Sequence, residues 1–308
     1  MTGYLVAVDY SRPIQPMFKQ RQGAGTIHSV FNKAMNIALD GTLLALLSNE
    51  LPRMPNSVRL PSSVTKELLP NLRPGMAVLV GNDRLHIPAH NFSFRLPETT
   101  AWEPRPDITA YTWHRKTVAQ HVRLLAHLLA DKPQQDGLAP LVRPLLLGQP
   151  AQETPLSRMA IPRLRLLAQA SWRQVNAGIE EATRGLTGLG PGLTPSGDDA
   201  LGGFAAIMAL LSPQLSADAA SRKHVAATIA AMARPRTTAL SAVLLAHAAR
   251  GELAEQMGTL LLTLTLPAEA FETVLNAADQ LLTFGASSGG DTLLGMLLGL
   301  RTLEGNID

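Results

Sequence analysis

Apolar and polar positions change period near residue 100, and that change divides the chain. Before it the apolar runs are short and broken by turn residues. Residues 26–37 (TIHSVFNKAMNI) and 42–47 (TLLALL) are split by Asp40-Gly41, a hairpin dipeptide. Residues 76–80 (MAVLV) and 84–87 (RLHI) flank Gly81-Asn82-Asp83, a second turn. In 91–96, Phe92, Phe94 and Leu96 alternate with polar neighbours, as on a half-buried strand. Prolines at 52, 55, 61, 70, 74, 88 and 97 argue against long helices. These features predict a small antiparallel sheet or open barrel.

The proline-rich segment 97–106 (PETTAWEPRP) marks the expected boundary, giving a β domain over 1–106 and a second domain over 107–308. Beyond it the period becomes helical. Val118, Val122, Leu125 and Leu129 form one apolar stripe. Segments 164–183, 218–232, 237–249, 252–264 and 268–284 are further helix candidates, rich in leucine and alanine. The fold class expected is α+β, with the larger domain all-α.

Residues 185–203 (GLTGLGPGLTPSGDDALGG) interrupt the helical pattern with glycine and proline, then lead into an apolar run. The frame Ser196-Gly197-x-Asp199-x-Leu201-x-Gly203 returns as Ser288-Gly289-x-Asp291-x-Leu293-x-Gly295. Both copies follow a helical segment and open an apolar one. The unit is therefore helix, glycine loop, helix start, used twice. Ser-x-x-Asp before an apolar run reads as a capping box, and that reading is preferred for Asp199 and Asp291. Gly203 and Gly295 lie four residues past those aspartates, on the same helix face, where they would let two helices pack closely.

Capping leaves Asp198 unexplained, together with Gly188, Gly190 and Gly192. Asp198 is the residue expected to act on a ligand. Exposed N–H groups at the helix starts, with Gly192, Thr194, Ser196, Gly197, Ser288 and Gly289, suit a small anion. If the two loops converge, Asp198, Asp199 and Asp291 come together. Three carboxylates could then hold Mg²⁺ or accept N–H groups of a ligand. Arg234, Arg236, Thr237 and Thr238 begin another helix and offer a second cradle for carboxylate or phosphate, though a plain Thr N-cap explains them equally well. His28, in 22–31 (QGAGTIHSVF), is a weaker candidate, with a structural role favoured over a binding one.

Composition narrows the class. Hydrophobic residues make up 46% and charged residues 17%, as in a globular protein, and no apolar run reaches membrane-spanning length. The N-terminus lacks the pattern of a signal peptide, so a cytoplasmic location is expected. The absence of cysteine removes disulfides, thiolate metal sites and a Cys nucleophile. Arginine supplies most of the positive charge, net charge is only +3, and no basic cluster is interleaved with aromatics. Small anionic ligands fit that balance better than nucleic acid or a membrane. No GxSxG elbow surrounds Ser196.

Residues 188–203 beginning GLGPGLTPSGDD, with Gly25-Thr26-Ile27-His28-Ser29-Val30-Phe31 and Ser288-Gly289-Gly290-Asp291, resemble the AllH-like family. The resemblance implies a subunit of a heteromeric oxamate carbamoyltransferase with FdrA-like and AllG-like chains, serving allantoin and purine breakdown. The reaction implied is carbamoyl transfer between carbamoyl phosphate and oxamate, giving oxalurate and phosphate. It carries over no catalytic residue. Two other readings stand beside it: a non-catalytic assembly subunit, and a Mg²⁺-dependent hydrolase using the clustered aspartates.

Overall fold

The computed structural model describes residues 5–19, 23–132, 136–150, 152–215 and 219–305. Gln22 and Asp218, at the ends of two segments named above, lie outside the described residues. The chain divides into two compact units, Met1–Pro104 and Arg105–Asp308.

The first unit carries strands β1 (Leu5–Val6), β2 (Asp9–Ser11), β3 (Gly23–Val30), β4 (Ala34–Leu39), β5 (Thr42–Ser48), β6 (Ser57–Leu60), β7 (Ala77–Gly81), β8 (Arg84–Ile87), β9 (Phe92–Arg95) and β10 (Ala101–Trp102). Two short helices, α1 (Gln15–Lys19) and α2 (Ser62–Leu68), interrupt them. The strands form one sheet in the order β1-β9-β8-β7-β3-β4-β5-β6-β2-β10. The hairpins are where the turn chemistry places them. Asp40 and Gly41 both have positive φ (49° and 73°) between β4 and β5, as do Asn82 and Asp83 (54° and 59°) between β7 and β8.

Two details differ from the sequence reading. The apolar run 26–37 is not one strand; it folds back at residues 31–33 into antiparallel β3 and β4, and the Phe31 amide donates to the Ala34 carbonyl at 2.8 Å. The sheet also contains three parallel pairs, β1 with β9, β5 with β6, and β2 with β10, which no local pattern signals. The β2–β6 pair carries a buried ion pair. Arg59 Nε donates to Asp9 Oδ1 at 2.9 Å, its Nη2 to Oδ2 at 2.5 Å, and Arg53 adds a third bond at 3.1 Å. Burial raises the Asp9 pKa, but the two guanidinium groups outweigh it and hold the carboxyl below its ordinary value.

The second unit is helical: α3 (Arg115–Asp131), α4 (Val142–Leu146), α5 (Pro155–Arg173), α6 (Asn176–Leu186), α7 (Ser196–Leu215), α8 (Ala219–Ala233), α9 (Ala239–Ala249), α10 (Glu255–Thr263), α11 (Phe271–Leu282) and α12 (Ser288–Glu304). The expected single helix over 164–183 is two, because Gln174 turns left-handed (φ 59°) and ends α5. The α5 start carries a reciprocal Thr154–Ser157 capping box that the sequence reading missed.

Helices α7 and α12 are the centre of this unit. From Ser288 to Leu300 every residue of α12 is buried, and α7 is buried almost throughout from Leu201 to Leu211. A helix apolar on all sides needs neighbours on all sides. The two can touch only because their facing positions are glycine. A β-carbon on Gly203 would collide with the Thr292 carbonyl oxygen and come 2.9 Å from the Met296 amide nitrogen. One on Gly295 would collide with the Ala200 carbonyl, and one on Gly299 would sit 2.9 Å from Ile207 Cβ. The contact of the two frame glycines is reciprocal, so the repeated frame is an internal pseudo-twofold.

Candidate functional site

Each half of the repeat is built alike. A helix ends, a positive-φ glycine reverses the chain, and the next helix starts against the carbonyl that the previous one left open. Gly190 (φ 109°) and Gly285 (φ 63°) occupy the reversal, each close to the first serine of the following helix. The Gly197 amide donates to the Leu189 carbonyl at 2.8 Å, and the Gly289 amide to that of Phe284 at 2.9 Å. Side chains at Gly197 and Gly289 would collide with the Leu186 and Leu281 carbonyls. These two glycines are close-approach positions.

The capping reading needs correction. The amides of Asp198 and Asp199 donate to the Pro195 carbonyl at 2.8 and 3.1 Å, so Pro195 holds the N-cap place and Ser196 is already helical. In the second copy the Asp291 amide donates to the Ser287 carbonyl, and Ser287 makes no side-chain cap bond. The serines and aspartates are thereby released from capping, and they meet across the pseudo-twofold. Thr194 Oγ1 lies 3.0 Å from Ser288 Oγ. The Ser288 hydroxyl neighbours Asp199, and the Ser196 hydroxyl neighbours Asp291.

The carboxylates have different surroundings. Asp198 is 2% exposed and fully engaged: Oδ1 accepts from the Gly188 amide at 3.0 Å and Oδ2 from the Thr237 hydroxyl. Burial raises its pKa, against those hydrogen bonds. Asp291 is fully buried; Oδ1 accepts the Leu138 amide at 2.5 Å and the Ala139 amide at 3.1 Å, while Oδ2 has no partner. Gly137 (φ 114°) passes so close that a β-carbon would lie 2.7 Å from both Asp291 oxygens. Asp199 Oδ2 is likewise buried without a partner. Burial, with smaller contributions from the charges of Asp291 and Asp198, pushes Asp199 up to about 8; burial pushes Asp291 up to about 6.

A buried carboxyl oxygen without an aligned donor is completed by a proton, a water or a ligand. Among the described residues no three His, Asp or Glu side chains are grouped to hold a metal ion. The reason is local, since Asp198 turns both oxygens onto the Gly188 and Thr237 donors and Asp291 commits one to residues 138–139.

The loop between α6 and α7 is tied to the α9 start. Thr237 reaches Asp198; Thr238 Oγ1 donates to the Leu193 carbonyl at 2.6 Å and also accepts the Ser241 amide at 3.1 Å as the N-cap of α9. The Arg236 carbonyl packs against Gly188. Arg234 and Arg236 are exposed, and Arg236 Nη1 donates to the Met232 carbonyl at 3.0 Å. Gly188 and Gly192 also have positive φ (72° and 97°), and residues 191–193 are exposed at the loop tip. His28 is an exposed residue of β3 in the first unit, its Nδ1 3.2 Å from Ser29 Oγ. The Leu138 and Ala139 amides were missed from sequence, having no signal beyond Gly137.

Among the described residues no helix is long and apolar enough to cross a membrane. No solved structure matches the chain. The family model for oxamate carbamoyltransferase subunit AllH matches residues 186–300, from the end of α6 through the glycine loop to most of α12. A second model, the AllH family N-terminal domain, matches residues 6–101, which is nearly the whole sheet. With both units matched, the chain belongs to the AllH family.

Proposed function

We propose that this chain is a working subunit of a heteromeric oxamate carbamoyltransferase, binding substrate where the two Ser-Gly-x-Asp helix starts meet. One observation carries the reading: Asp199 and Asp291 each keep a buried oxygen without a well-aligned hydrogen bond, and the hydroxyls of Thr194, Ser196, Ser287 and Ser288 cluster beside the two carboxyls. Carbamoyl phosphate and oxamate are anions that also carry amide N–H groups. The hydroxyls and the exposed backbone of residues 191–193 suit their oxygens, and Arg234 and Arg236 suit a phosphate or carboxylate at the loop's edge. Asp199 suits an N–H.

In this reaction the oxamate nitrogen attacks the carbamoyl carbon, the bond from that carbon to the phosphate oxygen breaks, and the nitrogen gives up one proton. That proton ends on the departing phosphate. A carboxyl held near neutrality, as Asp199 is, suits its transfer. Asp198, expected from sequence to be catalytic, is assigned here as a positioning residue, because its oxygens are occupied by Gly188 and Thr237. Partner chains of the FdrA-like and AllG-like kinds, a place in allantoin and purine breakdown and a cytoplasmic location belong to the same reading.

The test is carbamoyl transfer from carbamoyl phosphate to oxamate by the assembled complex, with Ser288→Ala and Asp199→Asn in this chain. A loss of tenfold or more with assembly intact is expected. Full activity in both variants would leave the chain as a non-catalytic assembly subunit.

A further inference from the structure

The second unit has a feature that the paired helix starts do not use. Between α5 and α6 lies an open groove of about 500 Å³, lined by Arg158, Pro162, Arg163, Leu166, Glu181, Arg184 and Gly185. Elsewhere Arg12, Arg53, Arg59, Arg143, Arg250 and Arg301 each meet a carboxylate. Among the described residues, none of the three groove arginines forms an ion pair, although Glu181 shares the groove. Three guanidinium groups thus face one carboxylate in one depression.

One of them is held in place. Arg163 Nη1 donates to the Met159 carbonyl at 2.5 Å. Its side chain also lies flat on α6 at Gly185, where a β-carbon would come 2.5 Å from Arg163 Cδ. Gly185, which opens the glycine-rich stretch in the last turn of α6, leaves the room that the Arg163 side chain occupies. Met159, one turn before Arg163 on the same helix, is 45% exposed and adds apolar surface next to the arginines. Exposed methionine and proline with a half-buried leucine among arginines are the composition of a protein–protein contact, where Arg and Met are enriched and each charge needs an opposite on the partner.

We propose that this groove docks an acidic segment of a partner polypeptide, with its carboxylates on Arg158, Arg163 and Arg184 and an apolar residue on Met159 and Leu166. The inference rests on the reading of the chain as a subunit. Its openness and exposed lining favour a polypeptide over a small anion, which is held in a more enclosed and more apolar pocket.

The full chain is co-expressed with the FdrA-like and AllG-like chains, and affinity is measured for the wild type and for Arg158→Gln/Arg163→Gln/Arg184→Gln. Arg158 and Arg184 are exposed, and Gln at 163 keeps much of the stem that rests on Gly185, so the variant should match the wild type in circular dichroism and melting temperature. The expected result is affinity at least tenfold weaker, with the steep salt dependence of the wild type flattened. Met159→Ser, which leaves charge unchanged, should weaken binding without altering the salt slope. Wild-type assembly equalled within twofold by the triple variant overturns the groove and leaves the subunit reading standing. Failure of the wild type to assemble with either chain overturns both. Calorimetric binding of inorganic phosphate that the triple variant abolishes while assembly is unchanged overturns docking in favour of a small-anion site.

Discussion

Replacing Asp199 by Asn should make the protein more stable and the complex less active. Asp199 is held at about 8 against 3.8 for an ordinary aspartate, so the folded chain prefers it protonated while the unfolded chain is charged above pH 4. The folded state therefore binds more protons, and stability falls as pH rises from near 4 to near 8. Each pH unit in that window costs at most about 1.4 kcal/mol, for a ceiling of about 4 kcal/mol at pH 7. Coupling to Asp291 and local relaxation reduce what is observed to about 1–2 kcal/mol between pH 5 and pH 7. Asn keeps the shape of the neutral acid and removes the titration. Urea unfolding of both proteins at pH 5, 6, 7 and 8 should show the gain of the variant growing with pH. Carbamoyl transfer, measured on the assembled complex, should fall at least tenfold. A variant that is less stable than the wild type at pH 8, or whose gain is the same at every pH, would refute the protonated, ligand-ready carboxyl.

Further substitutions test the helix frame around it and, separately, the sheet of the first unit. Gly203→Ala places a β-carbon against the Thr292 carbonyl and should cost about 3 kcal/mol or more, whereas Gly202→Ala, whose β-carbon finds only Leu245 at 3.9 Å, should be neutral or stabilising by melting temperature. Asp198→Ala should speed amide exchange at residues 187–194 and lower activity at least tenfold, while Asp198→Asn, which can still accept from Gly188, should recover most of both. Arg59→Ala leaves Asp9 buried without its main partner and should cost about 3–5 kcal/mol in denaturant at pH 7. That loss should shrink as pH falls below 4, because the lowered Asp9 pKa contributes stability only while the carboxyl is ionised.

Features written in neighbouring residues were legible in the sequence. Asp40-Gly41 and Asn82-Asp83 need only their own backbone conformation to reverse the chain, and each does so. The Gly203 and Gly295 pairing was legible for a different reason: a repeat states a long-range contact twice in the same words. What failed was a choice between two local outcomes. Ser196 and Ser287–Ser288 have the composition of caps, yet Pro195 and Ser287 supply the capping carbonyls and the hydroxyls are left to face the other copy. No sequence pattern could show that the Leu138 and Ala139 amides, 153 and 152 residues from Asp291, would hold one of its oxygens. The same holds for Asp9 and Arg59, which are 50 residues apart.

The pseudo-twofold also has a defect. Where the first copy carries Asp198, the second carries Gly290. The first copy therefore has a tether to the Gly188 loop and the α9 start, and the second has its anchor on residues 138–139 instead. A perfectly duplicated site would accept a ligand in two orientations related by the axis, and two unlike substrates would have no reason to choose sides. The missing carboxyl at Gly290 gives the site a front and a back.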